Sequence, residues 1–345
     1  MPTDYSSCTM PELEAARAAL REKREQRTPR LQPVSFSERS ANEFRPSSFA
    51  QMVGQERLKA LLARMITCAI ESGRPLEHAL LVGAAGVGKT TLAQVIAQEL
   101  GRPVYMLGAP IDVATLSELA RVEAGSVVIV DEVHLQASDP EPMYSILEDC
   151  RLVLKGGVKP FPALTWIGCT TDAGKLPAPF LARWPLHLRL DAYTDADLVQ
   201  IAQLNARQLG VRLSKAAANI FAWSSRGNPR QINAYVRSAR ALAAGDISQE
   251  LAVEVIETVC ETTLDGLTRT MRDVLLTLLD AERTDSKGEM QHKASLLTLA
   301  TAAEVDQRTI TQQVEPWLVR AGLVVIAPGG RALTAAGIVR ARALA

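Results

Sequence analysis

Gly83, Gly88, Lys89 and Thr90 occur at the spacing of a phosphate-binding loop: Gly, any four residues, then Gly-Lys-Ser/Thr. Glycines in such a loop let backbone N–H groups curl around phosphate oxygens, and the start of the next helix adds its positive dipole end. The pattern predicts that Lys89 reaches the β- and γ-phosphates and that Thr90 supplies a hydroxyl to Mg²⁺. It predicts a nucleotide, but not what the hydrolysis of that nucleotide drives. The predicted contacts of this loop are Gly83, Gly86, Val87, Gly88, Lys89, Thr90 and Thr91.

A second chemical pattern is the acid pair Asp131-Glu132, which ends the apolar run 127–130 about 40 residues after the loop. Asp131 can hold Mg²⁺ through water, and Glu132 can polarise an attacking water. The alternative is two acidic residues that merely end a strand, which the distance from the loop disfavours. His134 follows closely, and its position is equally consistent with a structural histidine and with a signalling one.

Three further residues are weaker candidates. Thr170 ends an apolar run, where its hydroxyl could touch the γ-phosphate or the water, although threonine is common in strands. Arg183 is either a surface residue or an arginine finger delivered to a neighbouring subunit. Asn228 can cap a helix that Pro229 begins, which places Arg230 in the first turn. A cation there opposes the helix dipole, and a nearby phosphate would compensate.

The elements that must position these residues alternate along the chain. Between Arg45 and about Leu190, short apolar runs alternate with helical patterns, which predicts an α/β fold with a parallel sheet covered on both faces. Ligands of such sheets bind at the carboxyl ends of the strands, where the phosphate loop lies. Residues 194–262 are helical by pattern. The predicted strands are Ala79–Val82, Val104–Leu107, Val127–Val130, Leu164–Cys169 and Leu186–Leu190.

Residues 268–345 predict a further unit, in which three helical patterns precede a two-stranded hairpin around Pro328-Gly329-Gly330-Arg331. This order is typical of a winged helix, a relative of the helix-turn-helix. No acidic residue follows Glu315, whereas four arginines do, so we expect a local basic patch that contacts DNA. A winged helix used only for protein contacts is the alternative. The helical patterns are Met271–Leu279, Leu296–Ala302 and Thr309–Arg320; the arginines are Arg320, Arg331, Arg340 and Arg342, with Arg320 and Arg331 as the predicted DNA contacts.

The bulk composition is that of a globular chain of two or three domains, with 345 residues, 47% hydrophobic and 22% charged, and a formal net charge of zero. Without an overall basic excess, any nucleic-acid contact must come from local patches. Five scattered cysteines without a Cys-x-x-Cys pair predict free thiols in a reducing compartment and no metal site. No apolar run is long enough to span a membrane and no signal peptide is visible, so we expect a cytoplasmic protein.

Residues 1 to 45 are expected to form an extension. A helix over 12–27 would carry Leu13, Ala16 and Leu20 on one side, and residues 28–43, with prolines and serines, would form a linker. A solvated tail without function is the alternative.

Taken in order, these stretches resemble the RuvB family of AAA+ motors, which drive branch migration of Holliday junctions. The resemblance runs from about Arg45 to Ala345 and is carried by many short matches in one order. Besides the phosphate loop with His78 before it, the matches are Arg45-Pro46, Val53-Gly54-Gln55, Asp131-Glu132-Val133-His134, Tyr144 with Glu148-Asp149, Thr170-Thr171-Asp172-Ala173-Gly174, Ser225-Arg226-Gly227-Asn228-Pro229-Arg230 and Glu315-Pro316-Trp317-Leu318.

The resemblance implies ATP and Mg²⁺ as cofactors and a hexameric ring around duplex DNA. Beyond the extension over 1–45, which has no counterpart in the family, it implies a large AAA+ ATPase domain over 46–192, a helical lid over 193–264 and a winged helix over 265–345. The implied site roles are Asp131 and Glu132 as the Walker B pair, Thr90 and Asp131 toward Mg²⁺, Thr170 as sensor 1, Arg183 as the arginine finger, Arg230 as sensor 2, and Met52, Val53 and Tyr193 as the adenine pocket.

The chain departs from the family pattern at several places. In the family a longer hairpin docks the junction-binding partner RuvA, whereas here only Cys150 to Pro162 fills that interval, with Gly156-Gly157 as the expected tip. We therefore expect a recruiting partner, RuvA-like or other, to bind residues 1–45 instead. Trp184-Pro185 stands where the family usually has Phe-Gly, and the wing lacks the arginine before its glycine.

The sequence thus predicts an ATP-dependent motor acting on branched or duplex DNA. The main alternative is an AAA+ loader or switch that places a helicase or clamp on DNA, since a loader would have the same site. A scaffold that binds ATP without hydrolysing it is disfavoured because every hydrolytic position is filled.

Overall fold

The computed structural model describes residues 31–34, 44–154, 156–243, 245–284 and 290–345. The predicted helix over 12–27 lies outside these residues. The chain divides into two compact units: the first holds the described residues of 1–38, 65–81 and 96–187, and the second those of 39–64, 82–95 and 188–345. Among the described helices, none combines the length and the apolar character needed to cross a membrane.

A parallel central sheet carries the predicted chemical residues at its strand ends. The strands in chain order are β1 (Ala79–Val82), β2 (Val104–Gly108), β3 (Val127–Asp131), β4 (Arg151–Leu154), β5 (Gly157–Pro160), β6 (Thr165–Thr170) and β7 (Leu186–Arg189). Five of them form one sheet in the order β2-β3-β6-β1-β7, with β2–β3 and β3–β6 parallel. All five predicted strands are confirmed, with bounds within one residue of those expected. The first four residues of β3 are fully buried, as expected for a parallel strand covered on both faces.

Helices and short 3₁₀ segments follow these strands. The helices are α1 (Glu56–Ser72), α2 (Lys89–Leu100), α3 (Val113–Leu119), α4 (Glu141–Asp149) and α5 (Ala178–Leu181). A 3₁₀ segment, Val133–Ser138, follows β3, and another, Ala173–Lys175, follows β6. The acid pair and Thr170 therefore lie where strands turn into helical segments.

Strands β4 and β5 form the predicted short hairpin, with Leu154 opposite Gly157 next to the tip. Val153 and Val158 point outward, with 52% and 60% of their surface exposed. Phe161 instead lies inward, with its ring stacked 6.4 Å from that of Trp166. The hairpin therefore presents little apolar surface to a partner.

The second unit contains a group of four helices with polar N-caps. They are α6 (Asp195–Gln208), α7 (Lys215–Ser225), α8 (Pro229–Leu242) and α9 (Gln249–Glu254). The cap of α6 is a capping box, in which Thr194 and Asp197 satisfy each other's backbone N–H groups. Phe221 of α7 and Tyr235 of α8 meet in the core, with ring centroids 5.6 Å apart. This confirms the predicted helical character of residues 194–262.

The same unit ends in a winged helix. Its elements are α10 (Arg269–Asp280), β8 (Glu282–Thr284), β9 (Met290–Ala294), α11 (Leu296–Ala302), α12 (Gln307–Thr309), α13 (Glu315–Arg320), β10 (Val324–Ala327), β11 (Gly330–Leu333) and α14 (Ala335–Arg342), with a π-helical turn, Ile310–Val314, between α12 and α13. The predicted helices Met271–Leu279 and Leu296–Ala302 and the β10–β11 hairpin are confirmed. The predicted helix Thr309–Arg320 is instead divided by the π-helical turn, and α13 begins beside Pro316, which has no N–H group to continue a preceding helix. The hairpin belongs, however, to a four-stranded sheet in the order β10-β11-β9-β8. Gly330 is required at the pairing with β9, because a Cβ there would lie 2.3 Å from the carbonyl oxygen of Ala294.

Candidate nucleotide site and nucleic-acid interface

The phosphate loop lies between β1 and α2, and its conformation depends on glycine. Gly86 and Gly88 have φ angles of 83° and 95°, in the left-handed region that side chains disfavour. The Nζ of Lys89 donates hydrogen bonds to the carbonyl oxygens of Gly83 (2.9 Å) and Ala84 (3.0 Å), so the buried ammonium group lies over the loop. Phosphate oxygens can replace these carbonyls as acceptors, because an ammonium group offers three donors. The loop therefore fits a nucleotide phosphate.

Asn228 connects the loop to helix α8. Its Nδ2 donates to the carbonyl oxygen of Ala85 at 3.2 Å, and its Oδ1 accepts the backbone N–H of Arg230 at 3.0 Å. The predicted cap at Asn228, with Pro229 as the first helical residue, is confirmed. A Cβ at Gly86 would lie 2.3 Å from Asn228 Oδ1, so only glycine allows this approach. Arg230 lies in the first turn of α8, and its side chain is exposed.

The residues expected around adenine come together in the second unit. The ring of Tyr193 packs on the backbone of Gly54, where a Cβ would lie 2.9 Å from its Cε1 atom. Met52 is buried and Val53 is half-buried beside this glycine. The tyrosine hydroxyl lies near the phosphate loop, 3.7 Å from the position of a Cβ on Gly88. Burial, aided by the charge of Asp197, raises the pKa of Tyr193 to about 12, so its ring stays neutral at physiological pH.

The acid pair lies in the first unit, at the carboxyl end of β3. Asp131 is the last residue of the strand, and its Oδ1 accepts the backbone N–H of Glu132 at 3.1 Å. Glu132 has a φ of 49°, in the left-handed region that is uncommon for residues other than glycine. Carboxylate and hydroxyl oxygens, as on Asp131 and Thr90, are the donors that Mg²⁺ prefers, so both side chains fit the predicted metal role.

His134 and Thr171 contact the carboxylate of Glu132, and His134 also contacts Thr170. The Nδ1 of His134 lies 3.1 Å from Glu132 Oε2 and also 3.1 Å from Thr170 Oγ1. The Thr171 hydroxyl donates to the same Oε2 at 3.3 Å, and the Thr170 hydroxyl accepts the backbone N–H of Asp172 at 3.0 Å. The sequence left the role of His134 open, because the 36 residues between it and Thr170 hide this contact.

Arg183 is bound within its own unit. Its Nη2 forms an ion pair with Glu148 Oε2 at 2.7 Å, and its Nη1 donates to the carbonyl oxygen of Pro179 at 2.6 Å. The guanidinium carbon also lies 4.3 Å from the ring centroid of Tyr144. Sequence reasoning missed this arrangement, although Tyr144 and Glu148 stand together in one of the matching stretches. An arginine finger at this position must leave Glu148 before it can reach a neighbouring subunit.

Two of the predicted basic residues of the winged helix have acidic partners. Arg331 forms an ion pair with Glu315, with both its Nε and Nη2 atoms 2.7 Å from Oε2, and the two side chains are only 17% and 12% exposed. Arg340 pairs in the same way with Asp265 at 2.7 Å. Arg320 is exposed at the end of α13. A DNA phosphate would therefore have to compete with Glu315 for Arg331, whereas Arg320 is accessible.

A half-buried arginine joins the helical group to the winged helix. The guanidinium carbon of Arg226 lies 4.4 Å from the ring centroid of Trp317, and its Nη1 lies 3.0 Å from the sulfur of Met271. Burial lowers the pKa of Arg226 below its usual range. Because Asn228 contacts the phosphate loop two residues further on, the segment 226–228 touches both the loop and the winged helix.

These features define an AAA+ ATP hydrolase: a phosphate loop that opens a helix, an acid pair ending another strand of the same sheet, and a helical lid capped onto the loop. Here that hydrolase is joined to a winged helix. The chain belongs to the RuvB family. Residues 44–190 match the family model of the Holliday junction DNA helicase RuvB P-loop domain, and residues 265–340 match that of the RuvB C-terminal winged helix domain.

Known relatives align along most of the chain. The Holliday junction branch migration complex subunit RuvB of Acidothermus cellulolyticus is 35% identical over 311 residues, which cover 85% of this chain and 82% of the relative. The same subunit of Campylobacter fetus is 32% identical over 318 residues, covering 88% and 90%. Among solved structures, the Thermotoga maritima RuvB Holliday junction branch migration motor superposes with a TM-score of 0.75 at 29% identity, covering 87% of this chain and 98% of that one.

Proposed function

We propose that this chain is an ATP-driven motor that moves on, or remodels, branched or duplex DNA, as the names of its relatives describe for Holliday junction branch migration. The observation that carries the proposal is the segment 226–228. Asn228 touches the phosphate loop at Ala85 and Gly86, while Arg226 stacks on Trp317 of the winged helix. A change in the loop on nucleotide binding therefore has a direct physical route to the domain expected to hold DNA.

The residue roles in hydrolysis are part of this proposal. Lys89 exchanges the carbonyls of Gly83 and Ala84 for phosphate oxygens. Thr90 and Asp131 offer oxygen donors to Mg²⁺, which when bound neutralises charge on the phosphates. Glu132 accepts a proton from the attacking water as the water's oxygen bonds to the γ-phosphorus, while the bond from that phosphorus to the β–γ bridging oxygen breaks and ADP leaves.

The remaining roles concern contacts with the nucleotide during binding and hydrolysis. The Thr170 hydroxyl donates a hydrogen bond to the γ-phosphate, and exposed Arg230 offers a cation at the start of α8. Arg183 acts on the nucleotide of a neighbouring copy, which requires a ring of subunits, a hexamer by the family resemblance. The adenine pocket is formed by Met52, Val53 and Tyr193.

DNA contact is proposed for the winged helix, with Arg320 as the accessible phosphate-binding residue. The proposed domains keep the expected bounds: 46–192 for the large domain, 193–264 for the lid and 265–345 for the winged helix. We place this activity in the cytoplasm, where bacterial relatives of this kind would meet chromosomal DNA.

Recruitment is proposed to run through residues 1–45. In the described part of the segment 150–162, the strongly exposed large apolar side chains are Val153 and Val158, whereas Phe161 is buried. Burying two such side chains contributes about 3–6 kcal/mol, whereas association costs about 4–15 kcal/mol. The hairpin alone is therefore a weak docking surface. Deleting residues 1–40 should leave ATP turnover intact and abolish co-purification of the recruiting partner. If the deletion leaves co-purification unchanged and mutations in residues 150–162 abolish it, recruitment through residues 1–45 is refuted.

The test uses the purified full chain with a synthetic four-way DNA junction, ATP and Mg²⁺. We expect conversion of the junction to duplex products, and no conversion with Lys89→Ala, because the cation over the phosphates is lost. Glu132→Gln should bind ATP but turn over far more slowly, because an amide cannot accept the proton of water. If DNA stimulates ATP hydrolysis but the junction stays intact, the motor function is refuted and the loader function is favoured. If Glu132→Gln hydrolyses ATP at the wild-type rate, Glu132 is not the residue that accepts the proton of water.

A further inference from the structure

His134 occupies a position that the proposed roles do not use. Its side chain is 5% exposed, and its Nδ1 lies 3.1 Å from the carboxylate of Glu132 and 3.1 Å from the hydroxyl of Thr170. One nitrogen thus contacts Glu132, which directly follows β3, and Thr170, which ends β6, and these two residues have separate proposed roles in hydrolysis.

The contacts of His134 are attractive in the tautomer that carries the ring proton on Nδ1, because a carboxylate accepts hydrogen bonds. We assign this tautomer to His134, and its single Nδ1 proton is then shared between Glu132 Oε2 and Thr170 Oγ1. The Thr171 hydroxyl donates to the same oxygen, Oε2, at 3.3 Å. Two donors on Oε2 orient the carboxylate so that its other oxygen, Oε1, is the one available to a water molecule.

The Thr170 hydroxyl is oriented from the other side. It accepts the backbone N–H of Asp172 at 3.0 Å and lies within reach of the Nδ1 proton of His134. A hydroxyl whose oxygen accepts from these two directions points its own proton away from them. That proton is the one that Thr170 would donate to a phosphate.

The backbone of Glu132 needs this support. Its φ of 49° is a left-handed conformation, which persists in a residue other than glycine only where the surroundings determine it. His134 lies two residues after Glu132, on the 3₁₀ segment that follows, and its side chain is buried. It is therefore near enough to the Glu132 side chain, and fixed enough by packing, to hold that carboxylate in place.

We propose that His134 is a positioning residue for ATP hydrolysis, which holds the Glu132 carboxylate and the Thr170 hydroxyl in a fixed relation through its single atom Nδ1. The inference rests on the proposed roles of Glu132 and Thr170. The effect of His134 on turnover therefore passes through Glu132 and Thr170.

The test compares two amides at position 134. The side-chain nitrogen of asparagine occupies the place of the histidine Nδ1, whereas that of glutamine corresponds to Nε2. We expect His134→Asn to keep turnover at saturating ATP within about threefold of wild type, and His134→Gln to lower it by at least about tenfold, a part of the 10²–10⁴ that a positioned acid or base contributes. The KM for ATP should stay unchanged in both, because the phosphate loop is unaltered.

The second measurement places His134→Gln in the Glu132→Gln background, again with the full chain. If His134 acts through Glu132 and Thr170, His134→Gln lowers turnover less in the Glu132→Gln background than in the wild type, because one of the two groups that it positions is already lost. Wild-type turnover by His134→Gln, equal losses in the asparagine and glutamine variants, or a loss in the double variant as large as the loss that His134→Gln causes alone would each overturn the inference. Wild-type turnover by Glu132→Gln alone would instead show that the proposed role of Glu132 is wrong.

Discussion

Replacing Trp317 with leucine should separate ATP turnover from its stimulation by DNA. The substitution removes the aromatic ring that lies 4.4 Å from the guanidinium carbon of Arg226, while keeping an apolar side chain on α13. A cation–π contact that is shielded from water contributes about 2 kcal/mol, and Arg226 is buried enough for its pKa to be lowered. That energy corresponds to a factor of about 30. We expect DNA stimulation to fall by up to this factor, with basal turnover unchanged.

The assay measures ATP turnover against the concentration of duplex DNA, with DNA affinity determined separately. Trp317→Phe is the matched control, because phenylalanine keeps a ring under the cation and should retain most of the stimulation. If the leucine variant binds DNA and is stimulated as strongly as wild type, then the contact between Arg226 and Trp317 does not transmit the effect, and the reasoning is refuted.

Three further outcomes are expected. Arg183→Ala should bind ATP without hydrolysing it. Mixing this variant with Lys89→Ala should restore some turnover at subunit interfaces that combine one intact phosphate loop with one intact arginine finger. If confirmed mixed oligomers show no recovery of turnover, a site shared between subunits is excluded. Burial lowers the pKa of His78 below its ordinary 6.5, so below that pH the unfolded chain binds a proton more readily than the folded chain. The urea concentration at the midpoint of unfolding should therefore fall as the pH drops below about 6.5. This fall should be smaller in His78→Gln, which has no imidazole to protonate. Arg320→Ala should weaken DNA binding across sequences and flatten its salt dependence, whereas unchanged binding would move the contact elsewhere.

Local sequence was enough to predict the elements that present the site. The strands β1, β2, β3 and β6 were predictable because buried parallel strands are continuous apolar runs. Strand β7 instead alternates leucine with polar residues, as a partly exposed strand does. The phosphate loop was predictable because its conformation requires glycines, as the positive φ angles of Gly86 and Gly88 show. The cap at Asn228 was predictable because an amide side chain before Pro229 satisfies the first N–H groups of a helix.

The pairing of charged side chains was not predictable in this way. Sequence counting predicted a basic patch because no acid follows Glu315, yet Arg331 pairs with Glu315 itself and Arg340 with Asp265, 75 residues away. Arg183 likewise pairs with Glu148 across an intervening strand and loop. An ion pair depends on where two elements pack, and no local pattern encodes that distance.

Strands β8 and β9 were missed for a related reason. Their sequences, Glu282–Thr284 and Met290–Ala294, are mostly polar and show no alternation of apolar residues. They pair through backbone groups, with β9 beside β11, and backbone hydrogen bonds can form with almost any side chain.

The sequence by itself therefore determined that this protein binds a nucleotide with a phosphate loop and an acid pair, because both depend on residue types at short fixed spacings. Only the tertiary structure decided which side chains orient those groups. His134 meets Thr170 from 36 residues away, and Asn228 meets Ala85 from 143 residues away. Such contacts are set by the packing of strands and helices into layers, and a single nitrogen or amide is positioned only once those layers have formed.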